Sequence, residues 1–600
     1  MTPPVKPIPL TRLRETNQMV LSHFIDQGIA PWLASVLAKR VGEVVDINSI
    51  LQPSISNIDD PKNIPDMKVA VERIVAAIVN GEKIIFAVDH DMDGTGSAAV
   101  LWTAFVDHFG VDPNLLEVIT SHRLTEGYGI TEPVVERILK SKATLIISAD
   151  KGSSDEPRIK KIAAAGKDVI VTDHHAIPIE GPPKSAYAVV NPTRVESQYD
   201  PYICGAAVAF MVMAKVRSAL LAIAYKTNIP SLSNIIDFVT VATIADCVAL
   251  RPDRSYINRA FVKHGLNLLN RESRHCWKVF KEQCHGRVTV EDIAFRLAPP
   301  IAAAGRLDWA EAGFRFLIAA NETDAKVEWE TLQRENLERK SIERTLTKKA
   351  IDAASNLDTQ SIVLYFEDGH SGVHGIAASR IVEAFGKPCA IFSPKGAGVR
   401  NKDSETLNLT GKRLGSGSFR GIPGFHVRDA LQYVSDHHAG LMIGFGGHEA
   451  AAGATILIDD FEKFSSAFEE AVKVQLGDGQ LNPIIWMDGD IDGSYLSLET
   501  LDALLELEPW GKDFPLPIFC SEFDVISQTA IGDGSHLKLS LRKDDRIFAG
   551  IWFSAKDKNE INLPLEVGGK AMLTYKLQEN WYRDKRSLQL NIIAKSSEGN

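Results

Sequence analysis

The chain has 600 residues, is 45% apolar and carries a formal net charge of −11. That length buries several cores, so a multidomain globular protein follows, and the acidic balance excludes a generally basic protein that coats nucleic acid. Any contact with a polyanion must then be made by a local groove of positive potential.

In chain order, residues 1–10 hold three prolines by Pro7 and lack the apolar core of a secretory leader. A helical N-terminal region is expected over 1–65. Over 66–321, four apolar runs (83–88, 144–148, 168–172 and 186–190) read as buried parallel strands with helix-like segments between them. This alternation implies an α/β fold with right-handed crossovers. The longest apolar stretch, 205–214, is cut by Lys215 and Arg217, short of the ~20 residues of a membrane span, so no membrane partner is expected.

A connecting segment is expected over 322–356, where residues 322–354 contain no Gly or Pro and read as one long, largely solvated helix, a spacer between domains. A second α/β domain is expected over 357–478. In the remaining 479–600, alternating runs at 536–541 and 547–553 suggest a small β-barrel. Six scattered cysteines suit a reducing cytoplasm, and the spacing of Cys276 and Cys284 between His275 and His285 matches no common zinc knuckle.

The chemistry sits just after the first three strands. Asp89-His90-Asp91-Met92-Asp93-Gly94 follows the first run, Asp150 the second and Asp173-His174-His175 the third, while Asp246 closes the apolar segment Thr243-Ile244-Ala245. The strands of an open parallel sheet end along one edge, so acids distant in sequence meet in one crevice. A calcium loop at Asp89 fails, because Val100 stands where the twelfth-position Glu belongs and a strand precedes. A lone Asp would read as a cap or turn acid. Several gathered acids repel one another and need compensating cations. Two divalent ions about 3.5–4 Å apart, sharing a carboxylate, can stabilise the attacking and leaving oxygens of an in-line phosphoryl displacement. Oxygen-rich ligands with some imidazole favour Mn2+ or Mg2+ over zinc. A second acidic repeat, 488–499, fits the calcium-loop pattern through Glu499, but Pro483 and a strand-like stretch at 484–487 occupy the place of the entering helix, so no calcium is expected there.

In order and spacing, these acids resemble the four motifs of the DHH phosphoesterases. Other segments are similar to its RecJ branch: Arg123-Leu124-Thr125-Glu126-Gly127-Tyr128-Gly129, Asn191-Pro192, Cys204-Gly205-Ala206 and Ala303-Ala304-Gly305-Arg306. Residues 370–380 and 446–453 resemble the DHH-associated domain, and Leu507-Glu508-Pro509-Trp510-Gly511 the segment before its OB-fold. The resemblance implies a parallel-sheet DHH domain, a long helix, a second α/β domain and an OB-fold barrel. It implies a two-metal 5′→3′ exonuclease that hydrolyses single-stranded DNA to 5′-mononucleotides in DNA repair and recombination.

Carried over, Asp91 and Asp150 hold one Mn2+ or Mg2+, and Asp93, Asp150, His174 and Asp246 the other, with Asp150 bridging and Asp89 a ligand or a support beside the ligands. Asp89, Asp173 and His175 count as catalytic, His175 touching the scissile phosphate. Arg123, Ser418 and Arg420 form a 5′-phosphate pocket, and Arg306, Arg380, His370 and His448 contact DNA. The resemblance implies a cytoplasmic monomer, and leaves room for single-strand binding protein and a helicase as partners. The chain departs from the family at Lys151, usually Asn, at Pro300 and Ala302, usually Arg and Asn, and at Gly369, often Trp. Relatives acting on cyclic dinucleotides, short RNA or pyrophosphate lack the terminal barrel, and a catalytically dead scaffold would be expected to lose acids that are all present here.

Overall fold

The computed structural model describes residues 10–307, 309–398, 411–477, 484–556, 562–583 and 585–596; Pro483 and the proline-rich start lie outside them. Contacts divide the chain into two units, one built mainly from 58–248 and 264–481, the other from 7–57, 249–263 and 482–600.

The first unit opens with a parallel sheet in the order Leu116–Thr120, Ile84–Val88, Leu145–Ala149, Asp168–Thr172, Ala188–Val190. Ile84–Val88 and Leu145–Ala149 are buried at every residue, which is why they read as unbroken apolar runs. Leu116–Thr120 escaped that reading because it is an edge strand with three of its five residues only partly buried. Among the described residues one helix, Gly205–Ala222, is long and apolar enough to cross a membrane; its residues 205–213 are buried in this unit, where it serves as a core helix.

The helix Glu322–Ala354 starts where the side chain of Asn321 accepts the Asp324 amide at 2.9 Å. It is less solvated than its composition suggests. Ala325, Trp329, Leu332, Asn336, Arg339, Leu346, Ala350 and Ala354 form a buried stripe at helical spacing, and Trp329 packs on Phe280 and Phe316 at 5.8 and 5.2 Å. The helix is thus a packed strut within this unit. The second sheet runs Met442–Gly447, Ala451–Leu457, Leu414–Arg420, Cys389–Pro394, Ile362–Tyr365, with only its last pair parallel. Phe392, Phe419, Phe464 and Phe468 interlock beneath it.

In the second unit Phe519–Ile531, His536–Lys543, Arg546–Trp552, Lys585–Lys595 and Lys570–Tyr582 close into a barrel. Leu10–Leu13 pairs with Ile484–Met487, so a strand, not a helix, enters the calcium-like loop. That loop's acids have protein partners. Asp488 is buried against Arg40 and accepts the Ile518 amide at 2.8 Å; Asp490 bonds Ser521 and Lys543, and Asp492 the Ser494 amide.

The Leu507-to-Gly511 segment is anchored by Arg259, whose fully buried guanidinium donates to the carbonyls of Ile50, Leu250, Leu507 and Pro509 at 2.9–3.1 Å and lies over Phe514. Removing it leaves four buried acceptors unpaired. Arg259→Met is therefore expected to destabilise this unit by roughly 3 kcal/mol or more. Chemical denaturation followed by barrel tryptophan fluorescence checks this; an unchanged midpoint would contradict it.

Candidate metal centre

Hydrogen bonding at the sheet edge brings the acids together. The amides of Asp89, Asp150 and Asp173 donate to the carbonyls of Ala149, Thr172 and Val190 at 3.3, 3.0 and 3.2 Å, each extending its strand's ladder by one residue. Three carboxylates thereby stand at the ends of three adjacent strands. Asp91 caps the helix Met92–Thr103, accepting the amides of Asp93 and Gly94. Asp93 accepts the amides of Gly205 and Ala206 at 2.6 and 2.8 Å, at the N-terminus of Gly205–Ala222, which gives Cys204-Gly205-Ala206 a physical use. Gly205 is required there, since a Cβ would lie 2.7 Å from that of Asp150. Asp150 itself is left-handed, with φ of 61°.

Ligand atoms converge in three overlapping sets: Asp89, Asp91 and Asp150; Asp93, His174 and Asp246; Asp150, His174 and His175. His174 Nε2 lies 3.1 Å from Asp150 Oδ1, 3.6 Å from Asp93 Oδ2 and 3.7 Å from Asp246 Oδ2. Asp89 Oδ1, Asp150 Oδ1 and His174 Nε2 are buried without hydrogen-bond partners. Burial, then the charges of the other acids, pushes Asp150 well above the usual carboxylate range and Asp246 up to about 9. Burial also raises Asp93; at Asp89 burial is overcome by His90, Lys151 and Arg123, which draw it down to about 2. Converging orphaned donors that repel one another fit hard divalent cations.

Asp173 is used differently. It accepts the amides of Ser153, His174 and His175 and bonds His175 Nδ1 at 2.8 Å. Burial opposes the His175 imidazolium, but Asp173 outweighs it and raises His175 to about 9. Two further groups hold this loop. Asn191 Nδ2 donates to the His175 carbonyl at 2.8 Å, and the Tyr128 hydroxyl donates to the Asp150 carbonyl at 3.2 Å while lying 3.0 Å from His175 Nδ1. Tyr128 lies in the Arg123-to-Gly129 segment, where the sequence alone assigns it no role.

Next to the acids lies a cluster of arginines. Arg306 is pushed down to about 9 by burial and by Arg123, Arg420 and Arg339, and donates to the Gly372 carbonyl at 3.2 Å. Arg123 reaches His90 Nε2 at 3.3 Å. Arg420 lies on Gly375, where a Cβ would stand 2.5 Å from the guanidinium, and Ser418 shares its face of Leu414–Arg420. His448, in the turn before Ala451–Leu457, is lowered by burial and by the charges of His175 and Arg428, so it stands within the field of the acid-bound histidine. Two expected DNA contacts have other partners. Arg380 pairs with Glu383 and Glu343, and His370 Nδ1 accepts the Gly372 amide while its ring packs on Gly398. Gly369 is hemmed in by Ser393 and His374, which occupy the space a larger side chain would need.

Asp150→Asn tolerates the left-handed backbone and removes one of the crowded charges. The variant is expected to keep at least wild-type thermal stability in metal-free buffer while losing the rise in Tm that Mn2+ brings to the wild type. A Mn2+-dependent rise of wild-type size in Asp150→Asn would contradict the arrangement.

Comparisons with known proteins identify relatives of this chain. Family models match at residues 83–243 (DHH family, N-terminal domain), 358–474 (DHHA1 domain) and 487–594 (RecJ OB domain). The single-stranded-DNA-specific exonuclease RecJ of Haemophilus influenzae is 30% identical over 560 residues, covering 90% of this chain and 92% of that protein. The crystal structure of RecJ in complex with Mn2+ from Thermus thermophilus superposes with a TM-score of 0.78 at 22% identity, over 99% of this chain and 79% of that one. A structure of exonuclease RecJ bound to manganese aligns with a TM-score of 0.55 at 28% identity, over 68% of this chain and 94% of that one. With a relative of this identity aligned along nearly its whole length, and all three domain models in order, the chain belongs to the RecJ family.

Proposed function

We propose that this protein is a two-metal-dependent exonuclease that degrades single-stranded DNA from 5′ ends to 5′-mononucleotides, acting in DNA repair and recombination. The observation that carries the reading is the shared position of Asp150, which belongs both to the set with Asp89 and Asp91 and to the set with His174. Asp89, Asp91 and Asp150 would hold one Mn2+ or Mg2+, and Asp93, Asp150, His174 and Asp246 the other. When bound, the cations supply Lewis-acid stabilisation of the charge that develops on the phosphoryl oxygens.

The remaining work falls to the chain's own residues. Asp173 and Tyr128 engage His175 Nδ1, which leaves Nε2 to donate to the scissile phosphate. Arg123, Ser418 and Arg420 bind a terminal 5′-phosphate, with Arg306 and His448 along the strand's path. Arg380, which also pairs with Glu383 and Glu343, and His370, whose Nδ1 accepts the Gly372 amide, are the further expected DNA contacts. A terminus fixed one nucleotide from the metals makes the cut fall after the first residue. The barrel supports strand binding through exposed aromatics such as Phe553, Trp581 and Tyr582. Six free cysteines support a cytoplasmic location, and a monomer working with single-strand binding protein and a helicase completes the reading.

Incubation with Mn2+ and end-labelled single strands, duplexes, circular single strands and a cyclic dinucleotide tests it. Release of mononucleotides from linear single strands at the 5′ end is expected; degradation from 3′ ends, or circles cut as fast as linear DNA, would overturn it. Energy from binding the remote phosphate is used to position the scissile bond, so Arg420→Ala should lower turnover as well as affinity, by about tenfold or more, and erase the preference for 5′-phosphorylated over 5′-hydroxyl ends. An unchanged end preference would remove Arg420 from the pocket.

A further inference from the structure

In the second unit, Leu10–Leu13 and Ile484–Met487 pair as a two-stranded parallel ribbon outside the barrel, with Leu10 beside Ile484 and Arg12 beside Trp486. Residues two apart on a strand share a face, so these four line one side of the ribbon. That side is open: Leu10 is 40% and Trp486 42% exposed, and Arg12 is exposed with them. The Arg14 amide donates to the Met487 carbonyl at 2.9 Å, which carries the ladder one residue further and sets Arg14 next along the same side. Among the described residues neither Arg12 nor Arg14 has an ion pair, and Arg14 Nε is buried without a hydrogen-bond partner. Charge at this end of the ribbon is unbalanced. Arg14, Lys39 and Arg40 gather about one acid, Asp488, whose carboxylate is taken by Arg40, with Nη2 at 2.7 Å from Oδ2, while Lys39 donates to the Asp488 carbonyl. Burial, then Arg40, lowers the Arg14 guanidinium, and Asp488 offsets only part of this.

In a chain of net charge −11, uncommitted arginines beside an exposed indole form a local site for a ligand that carries both phosphates and open ring faces. A single strand offers both, whereas the bases of a duplex are already stacked on one another. We propose that this ribbon is a further single-strand contact, in which the Trp486 indole stacks on a base while Arg12 and Arg14 hold neighbouring phosphates. The proposal rests on the reading of single-stranded DNA as the substrate, and it adds a binding element to the terminal phosphate pocket and the barrel aromatics. Stacking supplies the preference for unpaired bases, and the two guanidinium groups supply affinity that weakens with salt.

Fluorescence anisotropy of a labelled oligonucleotide with the full chain, in chelator to hold back hydrolysis, tests this. Trp486→Ala should weaken single-strand binding by roughly tenfold, leave duplex binding unchanged, and be rescued to within about threefold by Trp486→Phe, which keeps a ring. Arg12→Gln should flatten the slope of log Kd against log salt by about 0.7, and the Arg12→Gln, Arg14→Gln double variant by about 1.4, one single-strand phosphate for each arginine. Lys161→Gln, at an exposed pair with Glu132, controls for net charge and should leave both readings at wild type. If wild type binds single strands and either the stacking loss or the slope change is missing, the inference alone falls. Equal loss on duplex and single strand overturns it as well, and so does a poly-glutamate peptide that displaces the oligonucleotide from wild type but not from the double variant, since the ribbon would then be a face for acidic protein segments. Should Trp486→Ala fail to fold, Arg12→Gln, at an exposed side chain without an ion pair, decides the matter through its slope. A wild type that binds no single strand overturns the substrate reading and this inference with it.

Discussion

Six carboxylates converge at one end of a buried parallel sheet, where their mutual repulsion is shielded by little solvent. Much of the first unit's local structure answers that constraint. Helix N-terminal amides grip Asp93, a left-handed turn aims Asp150, and Asp173 is tied up by three amides and an imidazole. What those bonds leave over are the orphaned atoms of Asp89, Asp150 and His174, for which divalent cations are the natural partners.

The arginines form a counterpart of opposite sign. Arg123, Arg306 and Arg420 repel one another as the acids do, and burial weakens the hold of Arg306 and Arg420 on their own protons. Neither cluster is at its most stable alone. In the proposed reading, a DNA phosphate among the arginines and divalent cations among the acids would relieve both clusters.

How much of this the sequence discloses depends on whether a feature is local. Doubly covered strands such as Ile84–Val88 announce themselves, whereas the half-exposed Leu116–Thr120 does not. The bounds of Glu322–Ala354 were legible from the absence of Gly and Pro; its buried stripe was hidden because it is sparse and includes Asn336 and Arg339 among the apolar residues. The acids were legible through motif and strand position together. The engagement of Arg380 depends on Glu343 from the long helix, and the burial of Asp488 on Arg40, 448 residues away, so neither partner could be read locally. The burial of Lys151 Nζ without a hydrogen-bond partner shows only once the fold surrounds it.

In the proposed function, the acid cluster holds two cations that share Asp150. Anomalous diffraction at the manganese edge from crystals grown with Mn2+ tests it most directly. Two peaks should appear, one among Asp89, Asp91 and Asp150 and the other among Asp93, Asp150, His174 and Asp246, with Asp150 reaching both. A single peak, or peaks away from these residues, would contradict the account.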